Sequence, residues 1–236
     1  MPFTVIYDAC VLYPASLRDI LIRVGQAGLV HARWTDRILD ECFGSILRNR
    51  PDLRPDRLQR TRQLMGEAIR DVVVEGYGNL AAGLELPDED DRHFLAAAIK
   101  AGAQIIVTFN LRDFPPQQLG EIEAQAPDTF LYNLIDLSPG TVAHVIRSME
   151  EDLGSRPGID YVLATLKRAG LRKSMDAIRP YLSYPRPSAS LVRLRTTWRR
   201  RSSSARLYAM SCSKRTRRRG PTLRASSRPV SISFTT

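Results

Sequence analysis

Residues 87–115, with the sequence PDEDDRHFLAAAIKAGAQIIVTFNLRDFP, constrain the fold more than any other stretch. Asp88 and Asp91 have the spacing of a helix start, where acidic side chains accept hydrogen bonds from free backbone N–H groups. Apolar residues then recur every three or four positions as far as Gly102, which predicts an amphipathic helix that ends there. Residues 104–109 are apolar and β-branched, which predicts a short, buried parallel strand.

Acidic side chains follow the ends of two predicted strands. The apolar run FTVIY near the amino-terminus ends at Asp8, and Asn110 and Asp113 follow the second strand. Sites in open parallel sheets form beyond the carboxyl ends of the strands, so these side chains are expected at one edge of one sheet. Asp91, at the start of the intervening helix, is placed to join them.

The rest of the first 135 residues alternates between helical and extended patterns. Helices are predicted at 17–27, at 35–49 and, after a turn at 51–55, up to about residue 70, with further short strands at 71–77 and 128–135. In the second helix, Asp40 and Glu41 flank the apolar stripe on opposite sides, and helical angles alone do not decide which one faces the acidic edge. The alternation predicts an α/β layer fold with a mostly parallel sheet.

The pattern changes after residue 135. Residues 136–183 contain three helical segments separated by glycine and proline, which predict a small helical extension packed on the α/β domain. Residues 184–236 lose all periodicity and are predicted to be a disordered tail, because they cannot bury enough apolar surface to offset their ordering entropy. The expected units are therefore 1–135, 136–183 and 184–236.

The positive charge of the chain comes from that tail. The formal net charge is +10, from 35 Lys and Arg against 25 Asp and Glu. Residues 186–236 hold 14 of the basic residues and no acidic residue, which leaves residues 1–185 with a formal charge of −4. A basic arm can hold RNA or DNA phosphates. An unselected extension, from translation past a shifted reading frame, would have the same composition.

Cysteine content and hydropathy narrow the class of protein and its location. Cys10, Cys42 and Cys212 form neither a disulfide framework nor a zinc pattern. Cys10 and Cys42 are expected to be small core residues. No basic and apolar leader precedes the first strand, and no apolar run approaches the roughly 20 residues that cross a bilayer. We therefore expect a cytoplasmic protein without a membrane partner.

Four carboxylates are the candidates for chemistry. They are Asp8, Glu41, Asp91 and Asp113. Each of the last three has a plainer explanation, since Glu41 could be a solvated helix position, Asp91 could complement a helix dipole and Asp113 could be a turn residue. The nearby Asp88 could serve only as a helix cap. Asp8 is different, because a carboxylate at the end of a buried strand needs a partner.

Electrostatics predicts that such a cluster binds cations. Two carboxylates about 5 Å apart repel by roughly 3 kcal/mol at an effective dielectric constant of about 20. Four of them at one sheet edge are costly unless cations or protons intervene. Oxygen ligands without Cys or His favour Mg²⁺ or Mn²⁺ over zinc. A pair of such ions can activate water and stabilise the leaving oxygen when a phosphodiester bond is cleaved.

Four stretches resemble the acidic motifs of PIN-domain ribonucleases, and they are most similar to those of VapC-type toxins of bacterial type II toxin–antitoxin pairs. The stretches are VIYDACVL (5–12), TDRILDE (35–41), LPDEDDRHFLAAAIKAG (86–102) and IIVTFNLRDFP (105–115). Residues 136–182 are similar to the helical carboxyl-terminal extension of one branch of that family. The resemblance implies a three-layer α/β/α fold and metal-dependent endoribonuclease activity that leaves a 5′-phosphate and a 3′-hydroxyl.

The resemblance also implies roles for individual residues. Asp8 matches the first acid of the family, Glu41 the second and Asp91 the third. The fourth departs from the pattern, because Asn110 stands where many members have Asp and the next acid is Asp113. Asp113 is therefore expected to reach the metals, or the second metal binds weakly. The hydroxyl of Thr108 is expected to support a ligand, and Asp88 and Asn110 to assist.

The implied partners are an RNA substrate and a cognate antitoxin, and a homodimer remains open. An acidic cleft does not attract RNA unaided, so nearby arginines are hypothesised to hold phosphates. The candidates are Arg18, Arg37, Arg92 and Arg112.

Three other functions compete with the nuclease. A catalytically impaired module could bind a basic partner or RNA through its acidic cleft and basic tail, which the amide at Asn110 favours. A phosphatase-like hydrolase could use Asp8 as its nucleophile, but residue 10 is Cys where such enzymes carry a second Asp. Finally, the basic tail could be the functional part, as a nucleic-acid-binding arm.

Overall fold

The computed structural model describes residues 2–154 and 157–183. The predicted tail at 184–236, with Cys212, lies outside the described residues, so its disorder stays a prediction. Within the described part, one continuous apolar core extends from Val5 in the first strand to Ile178 in the last helix.

The centre of the fold is a sheet of four parallel strands in the order β2-β1-β3-β4. The strands are β1 (Phe3–Tyr7), β2 (Val30–Arg33), β3 (Ile105–Val107) and β4 (Glu123–Gln125). In β1, between β2 and β3, Val5, Ile6 and Tyr7 are fully buried. The predicted α/β class with a parallel sheet is confirmed. The pairing of Tyr7 with Val107 aligns the carboxyl ends of β1 and β3.

Helices account for most of the rest of the described chain. Those before β3 are α1 (Ala9–Leu12), α2 (Ala15–Gln26), α3 (Asp36–Asn49), α4 (Pro55–Ala68), α5 (Gly78–Ala81) and α6 (Arg92–Ala101). Those after β3 are α7 (Pro116–Leu119), α8 (Pro127–Leu137), α9 (Pro139–Asp152), α10 (Ile159–Arg168) and α11 (Arg172–Leu182). Short 3₁₀ turns at Glu89–Asp91 and Leu111–Asp113 precede α6 and follow β3. No helix in the described ranges is both long enough and apolar enough to span a membrane.

The prediction of an edge strand at 128–135 is wrong, because these residues form helix α8. Pro127 occupies its first turn, where the missing N–H costs nothing. The buried side chains Phe130, Leu131, Leu134 and Ile135 recur at helical spacing and share one face. A short apolar run fits a strand and a helix equally well, and the edge strand β4 lies just before it instead.

The prediction of a strand at 71–77 is also wrong. Only one isolated parallel bridge forms there, between Trp34 and Val73. The backbone of Trp34 donates to the carbonyl oxygen of Val72 at 3.0 Å and accepts from the amide of Val74 at 2.8 Å. The neighbouring strand β2 was not expected, because its polar residues His31 and Arg33 interrupt the apolar pattern.

The carboxyl-terminal helices pack on the α/β part, as predicted for the extension. Helix α9 contacts α2, and α11 lies against α8 and α9. The Asp128 carboxylate, in the first turn of α8, accepts from the amides of Lys173 and Ser174 at 2.9 and 2.8 Å, so it caps α11 from another helix. The predicted boundary after residue 135 falls inside α8, and the division into domains stays a prediction.

Candidate active site

Asp8 is the most buried of the candidate carboxylates, with 5% of its surface exposed. It follows β1 and is the N-cap of α1, where its Oδ1 accepts from the Cys10 amide at 3.3 Å. Its other oxygen, Oδ2, accepts from the hydroxyl of Thr108 at 2.5 Å. Its own amide donates to the carbonyl oxygen of Val107 at 3.1 Å, so the ends of β1 and β3 hold the side chain together.

Thr108 connects Asp8 to the loop after β3. The side chain of Thr108 is fully buried, and its Oγ1 also accepts from the Asn110 amide at 2.9 Å. One hydroxyl therefore fixes both the carboxylate and the start of the loop that carries Asp113. These two hydrogen bonds support the prediction that the Thr108 hydroxyl positions a ligand residue, Asp8.

Replacing Thr108 with valine tests that role in the fold. The change keeps the shape but removes the donor to a buried carboxylate, so we expect the free energy of unfolding to fall by about 2 kcal/mol. Urea unfolding at neutral pH measures it. Thr108→Ser keeps the hydroxyl and should lose less. Equal losses in the two variants would contradict the role of the hydrogen bond.

Cys10 is part of the wall of the site, whereas Cys42 is buried in the core as predicted. The partly exposed Cys10 Sγ donates to Asp8 Oδ2 at 3.0 Å and accepts from the Phe109 amide at 3.3 Å. Burial, and next the charge of Asp8, raise the pKa of the Cys10 thiol to about 12. It stays protonated and acts as a hydrogen-bond donor. Sequence reasoning missed this role, although the spacing of Asp8 and Cys10 across a helix start was a signal.

Asp91 shows that the predicted carboxylates act on one another. Burial, and next the negative charges of four other carboxylates, raise the pKa of Asp91 from 3.8 to about 7. In order of effect, these are Asp8, Asp113, Asp88 and Glu41. Asp91 makes no capping hydrogen bond, contrary to the expected capping-box role, whereas Asp88 accepts from the Asp90 amide at 2.9 Å.

Glu41 rather than Asp40 belongs to this group. Its Oε1 lies 3.0 Å from Arg37 Nε and 3.0 Å from Nε2 of His93, a side chain that is only 3% exposed. Burial alone would raise the pKa of Glu41, but contact with His93 and then with Arg37 outweighs it, so the pKa is lowered. Asp40 instead pairs with Arg62. Sequence reasoning missed His93, which was visible only as a polar residue on the apolar helix α6.

Asp113 and Asn110 occupy the loop after β3. The Asp113 amide donates to the carbonyl oxygen of Asn110 at 3.1 Å, which closes the 3₁₀ turn. Asn110 is exposed, whereas Asp113 is partly buried and its charge acts on Asp91. Asp113 is therefore the residue of this loop whose negative charge reaches Asp91.

The donor set suits a hard divalent cation. Within 2–154 and 157–183, no three Asp, Glu, His or Cys side chains already form a cluster that could hold a metal ion. Four carboxylates nevertheless each raise the pKa of Asp91 by their charge, and a cation beside Asp91 offsets that repulsion. Oxygen ligands of this kind fit Mg²⁺ or Mn²⁺. The residues present are therefore compatible with such an ion.

The four candidate arginines have different surroundings. Arg18 is buried, donates to the carbonyl oxygen of Leu12 at 2.6 Å and lies over the ring of Phe43, so its side chain does not face the surface where RNA would bind. Arg37 is tied to Glu41, and Arg92 pairs with Glu89 at 2.9 Å. The remaining candidate, Arg112, is exposed in the loop after β3.

Comparisons with known proteins match both parts of the chain. Residues 4–112 match the family described as PIN domain, and residues 127–180 match the VapC50 C-terminal domain. A stretch of 76 residues is 41% identical to the Mycobacterium tuberculosis (strain ATCC 25618 / H37Rv) protein named "Putative ribonuclease VapC50". It covers 31% of this chain and 44% of that relative, so the match spans less than half of the relative's length. No solved structure matches the chain.

Proposed function

This chain belongs to the VapC-type PIN-domain proteins with a carboxyl-terminal extension, and on that premise we propose that it is a metal-dependent endoribonuclease. The observation that carries the proposal is the convergence of charge on Asp91, whose pKa is raised to about 7 by burial and by four neighbouring carboxylates. The 41% identity to a protein named as a ribonuclease supports the choice of RNA as the substrate.

In this proposal Asp8, Glu41, Asp91 and Asp113 hold Mg²⁺ or Mn²⁺. When bound there, the ion supplies Lewis-acid activation of water and of the scissile phosphate. Asp8 is orientated by the Thr108 hydroxyl and the Cys10 thiol. The site without a cation is expected to keep a proton on Asp91 near neutral pH, which metal binding would displace.

Glu41 is held differently from Asp8. Arg37 and the buried His93 contact the same oxygen, Oε1, so Oε2 is the oxygen left to face a ligand. We propose that Glu41 positions the ion and that Asp113 completes the acidic edge. Asp88 caps the 3₁₀ turn before α6 and so sets the position of Asp91.

Removing the metal tests the proposal directly. We expect the full chain to cleave a mixed single-stranded RNA pool when Mg²⁺ or Mn²⁺ is present. Cleavage should stop when a chelator is added, because neither the attacking water nor the scissile phosphate is then polarised by a cation. Gel analysis of end-labelled RNA measures the products and the chemistry of their ends. Cleavage that persists in excess chelator would overturn the metal requirement.

We further propose that the chain is the toxin of a toxin–antitoxin pair, with a basic antitoxin segment as its protein partner, acting in the cytoplasm.

A specific observation favours a second candidate, a catalytically impaired module that binds a basic protein or RNA. Asn110 places an amide where many members of the family have Asp, and Glu41 is already paired with Arg37. Metal binding without any RNA cleavage would favour this second function.

A further inference from the structure

The carboxyl-terminal extension contacts the loop that carries the candidate active site. Gly170, in the turn between α10 and α11, has a φ of +103°, and a Cβ built there would lie 3.2 Å from Cε1 of Phe109. Phe109 directly follows Thr108, and its amide donates to Cys10 Sγ at 3.3 Å. The aromatic ring therefore lies between the acidic site and the extension, packed against a glycine backbone.

Phe109 keeps 43% of its surface exposed. Its backbone is held by Cys10 and one edge of its ring rests on Gly170, so the ring has a defined position rather than that of a free surface side chain. An exposed, positioned aromatic ring is a platform on which a nucleobase can stack, irrespective of sequence.

Cations surround the glycine that supports this ring. The basic turn, residues 167–173 with the sequence KRAGLRK, contains Lys167, Arg168, Arg172 and Lys173. Lys167 pairs with Asp176, and Arg168 donates to the Thr165 hydroxyl at 3.1 Å. Together with Arg112 in the loop after β3, the turn places positive charge beside the acidic site.

Helix stability does not explain two of these cations. Arg172 and Lys173 lie in the first turn of α11, which contains no acidic residue, and cations are unfavourable at this positive end of the helix dipole. Lys173 lies over the Tyr132 ring with Nζ 3.7 Å from its centroid. Among the residues that the structure describes, the side chains of Arg172 and Arg112 make no hydrogen bond or ion pair. Both are exposed and are available to phosphates.

We propose that Phe109 and the basic turn form the surface that holds single-stranded RNA, with a base stacked on the ring and phosphates bound by Arg172, Lys173 and Arg112. The inference rests on the proposed nuclease function and assigns the extension a role in it. The acidic site repels the RNA backbone, so the cations that offset this repulsion must lie around it. The extension supplies most of them at the edge nearest the loop that holds Thr108 and Asp113.

Fluorescence anisotropy with a short single-stranded RNA tests the surface, using the full chain with chelator so that nothing is cleaved. Arg172→Gln combined with Lys173→Gln should weaken binding about tenfold and reduce its salt dependence. The matched control is Arg57→Gln with Arg70→Gln, two exposed arginines in and just after α4, which has the same change in charge. It should leave binding close to that of the unaltered chain.

Phe109→Leu tests the stacking contact separately, because leucine retains apolar contact with Gly170. It should weaken binding about fivefold on RNA and leave binding unchanged on a strand with abasic sites. If the double variant unfolds, Arg172→Gln alone serves as the test. The Arg172 side chain has no partner among the described residues, so its loss is not expected to disturb the fold. The proposed surface would be overturned if Phe109→Leu weakened binding equally on both strands. It would also be overturned if the cation variants bound RNA like the control.

Cleavage assays keep this inference separate from the proposed function. If the unaltered chain cleaves RNA with Mg²⁺ but the variants at Arg172 and Phe109 bind RNA as tightly as the unaltered chain, the proposed surface is wrong. The proposed nuclease function is then retained. If binding depends on these residues and no metal supports cleavage, the nuclease is wrong and the RNA-holding surface stands. A chain that neither binds nor cleaves RNA overturns both.

Discussion

Replacing Asp8 with asparagine is expected to lower the rate of RNA cleavage by at least about 10³-fold while the protein stays folded. The amide has nearly the shape of the carboxylate and can still accept from the Cys10 amide, so α1 keeps its cap. It lacks the negative charge that a hard divalent cation requires. A loss of several kcal/mol of transition-state stabilisation from the metal corresponds to this reduction in rate. Single-turnover cleavage with saturating enzyme measures the chemical step.

The control for Asp8→Asn is the same chemical change at Asp136, which is exposed at the end of α8. Asp136→Asn should cleave RNA at the rate of the unaltered chain. In a bacterial host, expression of the unaltered chain should arrest growth and expression of Asp8→Asn should not, which tests the proposed role as a toxin. An Asp8→Asn variant that is folded and fully active would remove the acidic site from the mechanism.

The placement of Asp8 and Asp113 at one edge of the sheet was predictable, because parallel strands place their carboxyl ends together. Asp8 and Asp113 are separated by more than a hundred positions in the sequence, yet each follows a strand, and β1 pairs with β3. A strand pattern followed by an acid is a local signal, whereas the convergence follows from the topology of the sheet. As a consequence of this placement, the negative charges of Asp8 and Asp113 both raise the pKa of Asp91.

The residues that sequence reasoning missed depend on contacts between distant segments. His93 looks like a polar interruption in α6 until α3 brings Glu41 to 3.0 Å from it. Arg18 looks like a surface cation, but it is enclosed beneath α1, with a carbonyl oxygen and the ring of Phe43 as neighbours. Burial of a polar side chain is decided by packing partners, and no local pattern in the sequence encodes them.

The error at 128–135 has a related cause. A run of eight residues with four apolar side chains fits the pattern of a buried strand as well as that of a buried helix face. The length of the run does not distinguish between the two. The deciding interaction is long-range, because Asp128 caps α11 through Lys173 and Ser174 and so commits α8 to lie along that helix. Helix α8 therefore connects the sheet to the extension.

Asp91→Asn is expected to stabilise the metal-free protein while it abolishes cleavage. The pKa of Asp91 is raised to about 7 by burial and then by the neighbouring carboxylates, whereas the unfolded chain has the ordinary value of 3.8. Between about pH 4 and pH 7 the unfolded state therefore releases a proton that the folded state keeps. As a result, the free energy of unfolding falls as pH rises through this window, then levels off above about pH 7.

Asparagine removes this titration, so its advantage over Asp91 should be absent near pH 4 and reach about 1 kcal/mol near pH 8, a value kept small by the partial exposure of the site. No capping hydrogen bond is lost, since the Asp91 side chain makes none. Urea unfolding in chelator across this pH range measures the difference, with Asp136→Asn as the control. Adding Mg²⁺ should reverse the order, because only the unaltered chain gains binding energy from the ion. If Asp91→Asn were less stable than the unaltered chain at pH 8 in chelator, Asp91 would not be the residue on which the carboxylates converge.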